Sequence, residues 1–277
     1  MKATRPVRRP AFTLVEMLVV ILIMSILVTL VTLGVTRAMR YASEVGTKTE
    51  MAQIEQALGV AALDLGRVPY IPSVIYLWPD QNTAMNDINA EGNSVTKGFK
   101  QMSLRILKQM FPNWTTASWG TQTLNATQSF VFVLGGKNGS EGFSATGTDP
   151  FASGGKRKGP YFNFKPERLN SSSYTYKDYW DSNSNLIVYS MQMVASGTAP
   201  VGATETPSGY PTRAYAGGTS ASPSKPYMPK GYQVFSAGKD GVFGVPYPTP
   251  LAGLLTGAGE DDQCNFSESL LGKPIAD

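Results

Sequence analysis

One carboxylate at the head of a long apolar run constrains this chain more than any other feature. From Phe12 the sequence reads Phe-Thr-Leu-Val-Glu-Met-Leu-Val-Val-Ile-Leu-Ile, and after Glu16 no charge recurs until Arg37. Met17 to Val35 gives 19 uncharged residues, about 28 Å of helix at 1.5 Å per residue, enough to span a bilayer. A charge placed in such a segment costs roughly 2.5–3.5 kcal/mol, so Glu16 requires a partner. A basic leader precedes it and ends at Ala11. Cutting between Ala11 and Phe12 creates an α-amino cation that a neighbouring copy can offer to Glu16. A charge that must be matched by another subunit points to a chain that polymerises.

Phe12, Thr13, Leu14 and Glu16, following a basic leader and a small residue, resemble the class III signal of type IV pilins and of the pseudopilins of type II secretion. The resemblance implies cleavage between Ala11 and Phe12 by a membrane prepilin peptidase on the cytoplasmic face, with N-methylation of Phe12. The family usually has Gly before the cut, where this chain has Ala11. A secretory signal peptide carries no Glu in its apolar region and ends in an Ala-x-Ala-like site; Thr36-Arg37-Ala38-Met39 is a poor one. A plain signal-anchor without an assembly role is the competing reading, and it leaves Glu16 unexplained.

Charge supports the same division. The chain has 24 basic and 20 acidic residues, and Lys2, Arg5, Arg8 and Arg9 fall in the leader, so the chain from Phe12 onward holds 20 of each. The leader cations place the N-terminus in the cytoplasm by the positive-inside rule, with the C-terminal domain on the periplasmic side of a single inner-membrane span. No cluster of Lys and Arg interleaved with aromatics marks a nucleic-acid surface. The absence of histidine removes His-based triads, the common zinc sites and most proton shuttles. The single cysteine, Cys264, allows neither an internal disulfide nor a redox pair, and no imidazole exists to activate it. An enzyme is not expected.

Beyond the span, Arg40, Glu44 and Lys48 set opposite charges at i,i+4, which support an exposed helical face. Val45, Ile54, Leu58, Ala61 or Ala62, and Leu65 recur at helical period, and Gly66, Pro69 and Pro72 stop the pattern. The helix is therefore expected over about 12–65, with 12–35 in membrane or filament core and 36–66 in the periplasm. Gly34 is a point where it could bend. Residues 67–277 form a globular domain with insertions at about 73–160 and 197–229. Within the first insertion Lys97 to Phe111 reads as a helix ended by Pro112, and Gln128 to Leu134 as a strand closed by Gly135-Gly136. A long surface loop is expected from there to Lys158. The second insertion reads as a flexible Gly/Ser/Thr/Pro linker.

Leu63-Asp64-Leu65-Gly66-Arg67-Val68-Pro69, Gly159-Pro160-Tyr161-Phe162, Tyr179-Trp180-Asp181 with Leu186 to Tyr189, and Tyr232 to Gly244 with its Ser-Ala-Gly-Lys-Asp-Gly-Val-Phe-Gly ending further resemble the major pseudopilins. Members of that family bind calcium in the C-terminal loop. By resemblance Asp240, Asp261 and Asp262 are candidate Ca²⁺ ligands, with carbonyls near Ser236 and Gly238, and hard oxygen donors suit that ion. Read from the residues alone, Asp240-Gly241 is a hairpin turn and Asp261-Asp262 a solvated acidic cap. The expected fold is α+β and pilin-like, a long N-terminal helix packed on a small antiparallel sheet. The resemblance implies a structural pseudopilin. Its partners would be prepilin peptidase, copies of itself, other pseudopilins, an inner-membrane assembly platform and the bilayer, but no nucleic acid. Two other readings are a type IV pilus pilin for adhesion or motility, and a membrane-anchored domain that never polymerises.

Overall fold

The computed structural model describes residues 14–68, 70–179, 184–190, 216–219, 222–226, 231–243, 259–265 and 271. The chain divides into two compact units, Met1–Val45 and Gly46–Asp277. Helix α1, Leu14–Asp64, runs unbroken through both, past Gly34, Gly46 and Gly59. In the first unit its residues 14–39 are all exposed, as expected of a helix whose solvent is lipid or a partner helix rather than its own domain.

In the second unit α1 becomes one-sided. Met51, Ile54, Leu58, Ala61 and Leu65 are buried, while Thr49, Ala52, Gln56, Gly59 and Leu63 face outward. The helix stops at Gly66, whose φ of +97° only glycine adopts without strain. Gln109 Nε2 then donates to the carbonyls of Gly66 and Arg67 at 3.0 and 3.1 Å. A short strand β1 (Ile75–Leu77) leads into α2 (Gln81–Ala90), capped by Asp80, whose carboxylate accepts from the Asn82 and Thr83 amides. Those amide bonds hold the Asp80 carboxyl below its ordinary value. Next come α3 (Ser94–Met110), β2 (Gln122–Leu124), which pairs antiparallel with β1, and α4 (Ser129–Gly135).

Helix α4 replaces the strand expected over Gln128 to Leu134. All seven of its residues are buried, so no polar face exists to betray the helical period. A short apolar run enclosed on every side reads alike as core strand or core helix. The region expected as a surface loop is also built into the core. Phe143 lies in β3 (Phe143–Ser144), which pairs with β4 (Arg157–Lys158), and Phe143 and Phe151 are both buried. They join Phe111, Trp114, Trp119 and Phe132 in a set of edge-on, tilted and stacked ring contacts 4.9–6.0 Å between centroids. Residues 73–160 thus carry much of the core.

The remaining strands are β5 (Leu169–Asn170) and β6 (Thr175–Tyr176), a hairpin; β7 (Ile187–Ser190); β8 (Ala216–Thr219) and β9 (Ser222–Pro226); β10 (Tyr232–Ser236); and β11 (Gln263–Cys264). β10 is the centre of a three-stranded antiparallel sheet, β11-β10-β7. β8 and β9 pair as a hairpin, so the described part of the 197–229 stretch is ordered pairing rather than linker. The architecture is α+β: one long helix with small antiparallel sheets, consistent with a pilin-like fold.

Candidate functional site

Glu16 lies in the first turn of α1 and is exposed. The first-turn amides of a helix have no intrahelical acceptor, and the helix dipole adds a partial positive charge there. An acid at this position suits both. Ala11 and Phe12, the expected cleavage pair, lie outside the described residues.

The apolar helix that follows also settles its hydroxyls locally. Ser25 Oγ donates to the Leu22 carbonyl at 2.8 Å, Thr29 Oγ1 to Ser25 at 2.8 Å, and Thr32 Oγ1 to Val28 at 2.7 Å. Thr36 Oγ1 lies 3.1 Å from both the Thr32 and Leu33 carbonyls. Each of these groups therefore enters an apolar surrounding without an unsatisfied donor, which would cost several kcal/mol in lipid. Helix α1 is long and apolar enough to cross a membrane.

A second constellation, with no counterpart in the sequence reading, fixes α1 within the second unit. Glu50, buried on α1, accepts from Arg168 Nη1 at 2.9 Å, and the second Arg168 prong lies 2.8 Å from its other oxygen. Tyr176 Oη donates to the same carboxylate at 2.9 Å. Arg168 also donates to the Lys177 carbonyl from Nε and Nη2, and its guanidinium stands 4.3 Å above the Tyr176 ring. Burial, followed by the nearby Glu50 charge, drives the Tyr176 hydroxyl pKa far above its ordinary value, so it remains a donor. Glu50 and Arg168 are 118 positions apart, and no local pattern links them. At the other end of α1, Lys158 Nζ donates to the Asp64 carbonyl at 2.8 Å and Tyr161 Oη to its carboxylate at 2.5 Å.

Asp240 and Asp261, two of the three candidate calcium residues, meet at one turn. Asp261 Oδ2 accepts from the Lys239 and Asp240 amides at 2.6 and 3.0 Å, and Asp240 Oδ1 from the Val242 amide at 2.8 Å. Gly238, with φ +63°, packs so closely on Asp261 that an added Cβ would lie 2.2 Å from its carbonyl oxygen. Asp262 is buried in the chain leading to β11. Among the described residues no three His, Cys, Asp or Glu side chains converge to hold a metal. The turn is closed by its own amides, and residues 244–258 of the same connection lie outside the described residues. The Asp240 side chain accepting from the Val242 amide is what the hairpin reading of Asp240-Gly241 expects.

Of the expected sequence correspondences, Tyr232 to Ser236 forms β10 and Ile187 to Tyr189 lies in β7, its antiparallel neighbour. Trp180 and Asp181 lie outside the described residues. No curated protein and no solved structure matches the chain. Residues 8–32 match the family described as the prokaryotic N-terminal methylation motif. With α1, the match supports a type IV pilin-like class, a structural rather than enzymatic one, and fits a membrane-anchored, prepilin-processed protein.

Proposed function

We propose that this chain is a structural pseudopilin of a type II secretion system. In this reading residues 1–11 are removed by prepilin peptidase, Phe12 is N-methylated, and residues 12–35 anchor the chain in the inner membrane until it is drawn into a helical pseudopilus. Residues 36–66 continue the helix into the periplasm, where 67–277 form the domain. The assembly platform and other pseudopilins are its partners. The observation that carries the reading is the methylation motif over residues 8–32 coinciding with an acid in the first turn of an exposed apolar helix. Glu16 pairs with the Phe12 amino group of an adjacent subunit, which removes the cost of a lone charge among apolar helices. The single cysteine favours secretion over a pilus, because the C-terminal loop of pilus pilins is usually closed by a disulfide.

Intact mass and N-terminal sequence from native membranes test the processing, and a chain retaining residues 1–11 refutes it. Glu16→Gln should leave leader removal intact and abolish filaments; normal filaments from this variant refute the pairing. Deleting the gene should block protein export without removing surface fibres. Loss of surface fibres with export unchanged would place the chain in a type IV pilus instead.

A further inference from the structure

The only Asn-Gly step in the chain, Asn138-Gly139, lies in a short 3₁₀ turn, Lys137–Gly139, just after α4. The backbone there demands both residues. Asn138 takes φ +56° and ψ +16°, a left-handed conformation that Asn tolerates better than most side chains. Gly139 follows at φ +70°, and a Cβ there would press on Leu169 and Val131 at 3.1 and 3.3 Å. Asn-Gly is also the dipeptide most prone to deamidation, because glycine leaves its nitrogen unhindered beside the Asn carboxamide.

The folded turn keeps the two reacting groups occupied elsewhere. Asn138 Nδ2 donates to Glu141 Oε1 at 2.6 Å, which holds the carboxamide toward Glu141. The Gly139 N–H donates back to the Gly136 carbonyl at 3.0 Å, so its proton leaves only if that bond breaks. The Ser140 and Glu141 amides close the turn on the Lys137 carbonyl, and the Lys137 amide ties its start to the Gly142 carbonyl. Asn138 and Glu141 are exposed, so water reaches the carboxamide and the barrier is one of geometry.

We propose that Asn138 is a deamidation site gated by this turn: the reaction is withheld while the turn is closed and proceeds when it opens. On opening, the Gly139 nitrogen gives up its proton and attacks Asn138 Cγ. The new N–Cγ bond closes a succinimide, the Cγ–Nδ2 bond breaks, and Nδ2 leaves as ammonia with that proton. Water then adds to either ring carbonyl and opens the ring to aspartate or isoaspartate at position 138, with no change of oxidation state. Glu141 now faces a carboxylate where it had accepted from an amide, so the closing bond is lost and like charges oppose the turn. The change is irreversible and accumulates only in chains whose turn has opened. It is independent of whether the chain polymerises.

The test incubates the full chain at mildly alkaline pH, folded in detergent and unfolded in guanidinium chloride. Peptide mass spectrometry follows the amide-to-acid conversion, and chromatography separates aspartate from isoaspartate. In the unfolded chain Asn138 should convert before any other asparagine, and about tenfold or more faster than in the folded chain, the scale set by a turn that is mostly closed. Glu141→Ala should raise the folded rate about fivefold, the scale of one lost hydrogen bond, and leave the unfolded rate unchanged. Asn138→Asp, which mimics one product, should speed hydrogen exchange of the Gly139 amide in the folded chain. Equal folded and unfolded rates, a folded rate unmoved by Glu141→Ala, Gly139 exchange unmoved by Asn138→Asp, or another asparagine converting first in the unfolded chain overturns the proposal.

Discussion

Replacing Arg168 by Ala should destabilise the second unit more than replacing Glu50, its partner. Both side chains are nearly buried, at 12% and 10% exposure. Without the guanidinium, the Glu50 carboxylate keeps only the Tyr176 hydroxyl as a donor in the described contacts. Removing one member of a buried ion pair costs about 3–5 kcal/mol, and the residual exposure favours the lower end, about 3 kcal/mol. Glu50→Ala leaves Arg168 its bonds to the Lys177 carbonyl and its place over the Tyr176 ring, so about half that loss is expected. At about 2–4 °C per kcal/mol for a unit of this size, Arg168→Ala should lower Tm by about 6–12 °C and Glu50→Ala by about 3–6 °C. The assay is near-UV circular dichroism of the full chain in detergent. Trp78, Trp114 and Trp119 lie in the core of the second unit and the first unit holds no Trp, so the signal reports the second unit. The double variant should fall less than the sum, because the two residues share one interaction. A loss under about 2 °C for Arg168→Ala, or strict additivity, would refute the argument.

Four further outcomes are expected. Gly66→Ala forces a Cβ to 2.1 Å from the Gln109 carbonyl oxygen at a positive φ and should cost about 2 kcal/mol or more in denaturant unfolding; a neutral result would show that the α1 stop is soft. At Asp87 burial raises the carboxyl pKa, but bonds from Lys100 and Trp78 outweigh it and hold it low. That contribution is therefore present above the ordinary carboxylate range and lost as pH falls below about 4; Lys100→Met should flatten the acid limb of Tm against pH, and an unchanged limb counts against the assignment. Asp261→Ala strips the acceptor from the Lys239 and Asp240 amides and should lower Tm equally in calcium and in chelator; a loss seen in calcium alone would favour the metal reading. Phe132→Ala, which removes a ring edge-on to Trp119, Phe143 and Tyr174, should cost about 3–5 kcal/mol, and less than 1 kcal/mol would mean the core collapses around the gap.

What the sequence made legible was what repeats locally. An uninterrupted apolar run followed by a helical stripe defines α1, and alternating apolar and basic residues before Pro112 define α3. Glu16 stood out because its neighbours are all apolar. Much of the core of 73–160 was hidden because Trp119, Phe143 and Phe151 stand among Gly, Ser, Ala and Thr, where no period exists to read. α4 was hidden for the opposite reason, having no polar residue on any outward side. The Glu50–Arg168–Tyr176 contact is a matter of tertiary placement alone. Likewise, carboxylates at a turn look alike in sequence whether they bind a cation or accept from amides.

The enclosure of α4 makes it a gauge of the whole unit. Seven residues are too few for a stable helix in isolation. Its neighbours hold it at several points: Ser129 Oγ donates to Ser73, Gln128 Nε2 to Ser173, and the Tyr161 and Gly142 amides to Leu134 and Gly135. Freeing α4 therefore means releasing segments spread across more than eighty residues of chain at once. Its amides have no partial opening through which to exchange with solvent, so their exchange rate reads the free energy of global unfolding.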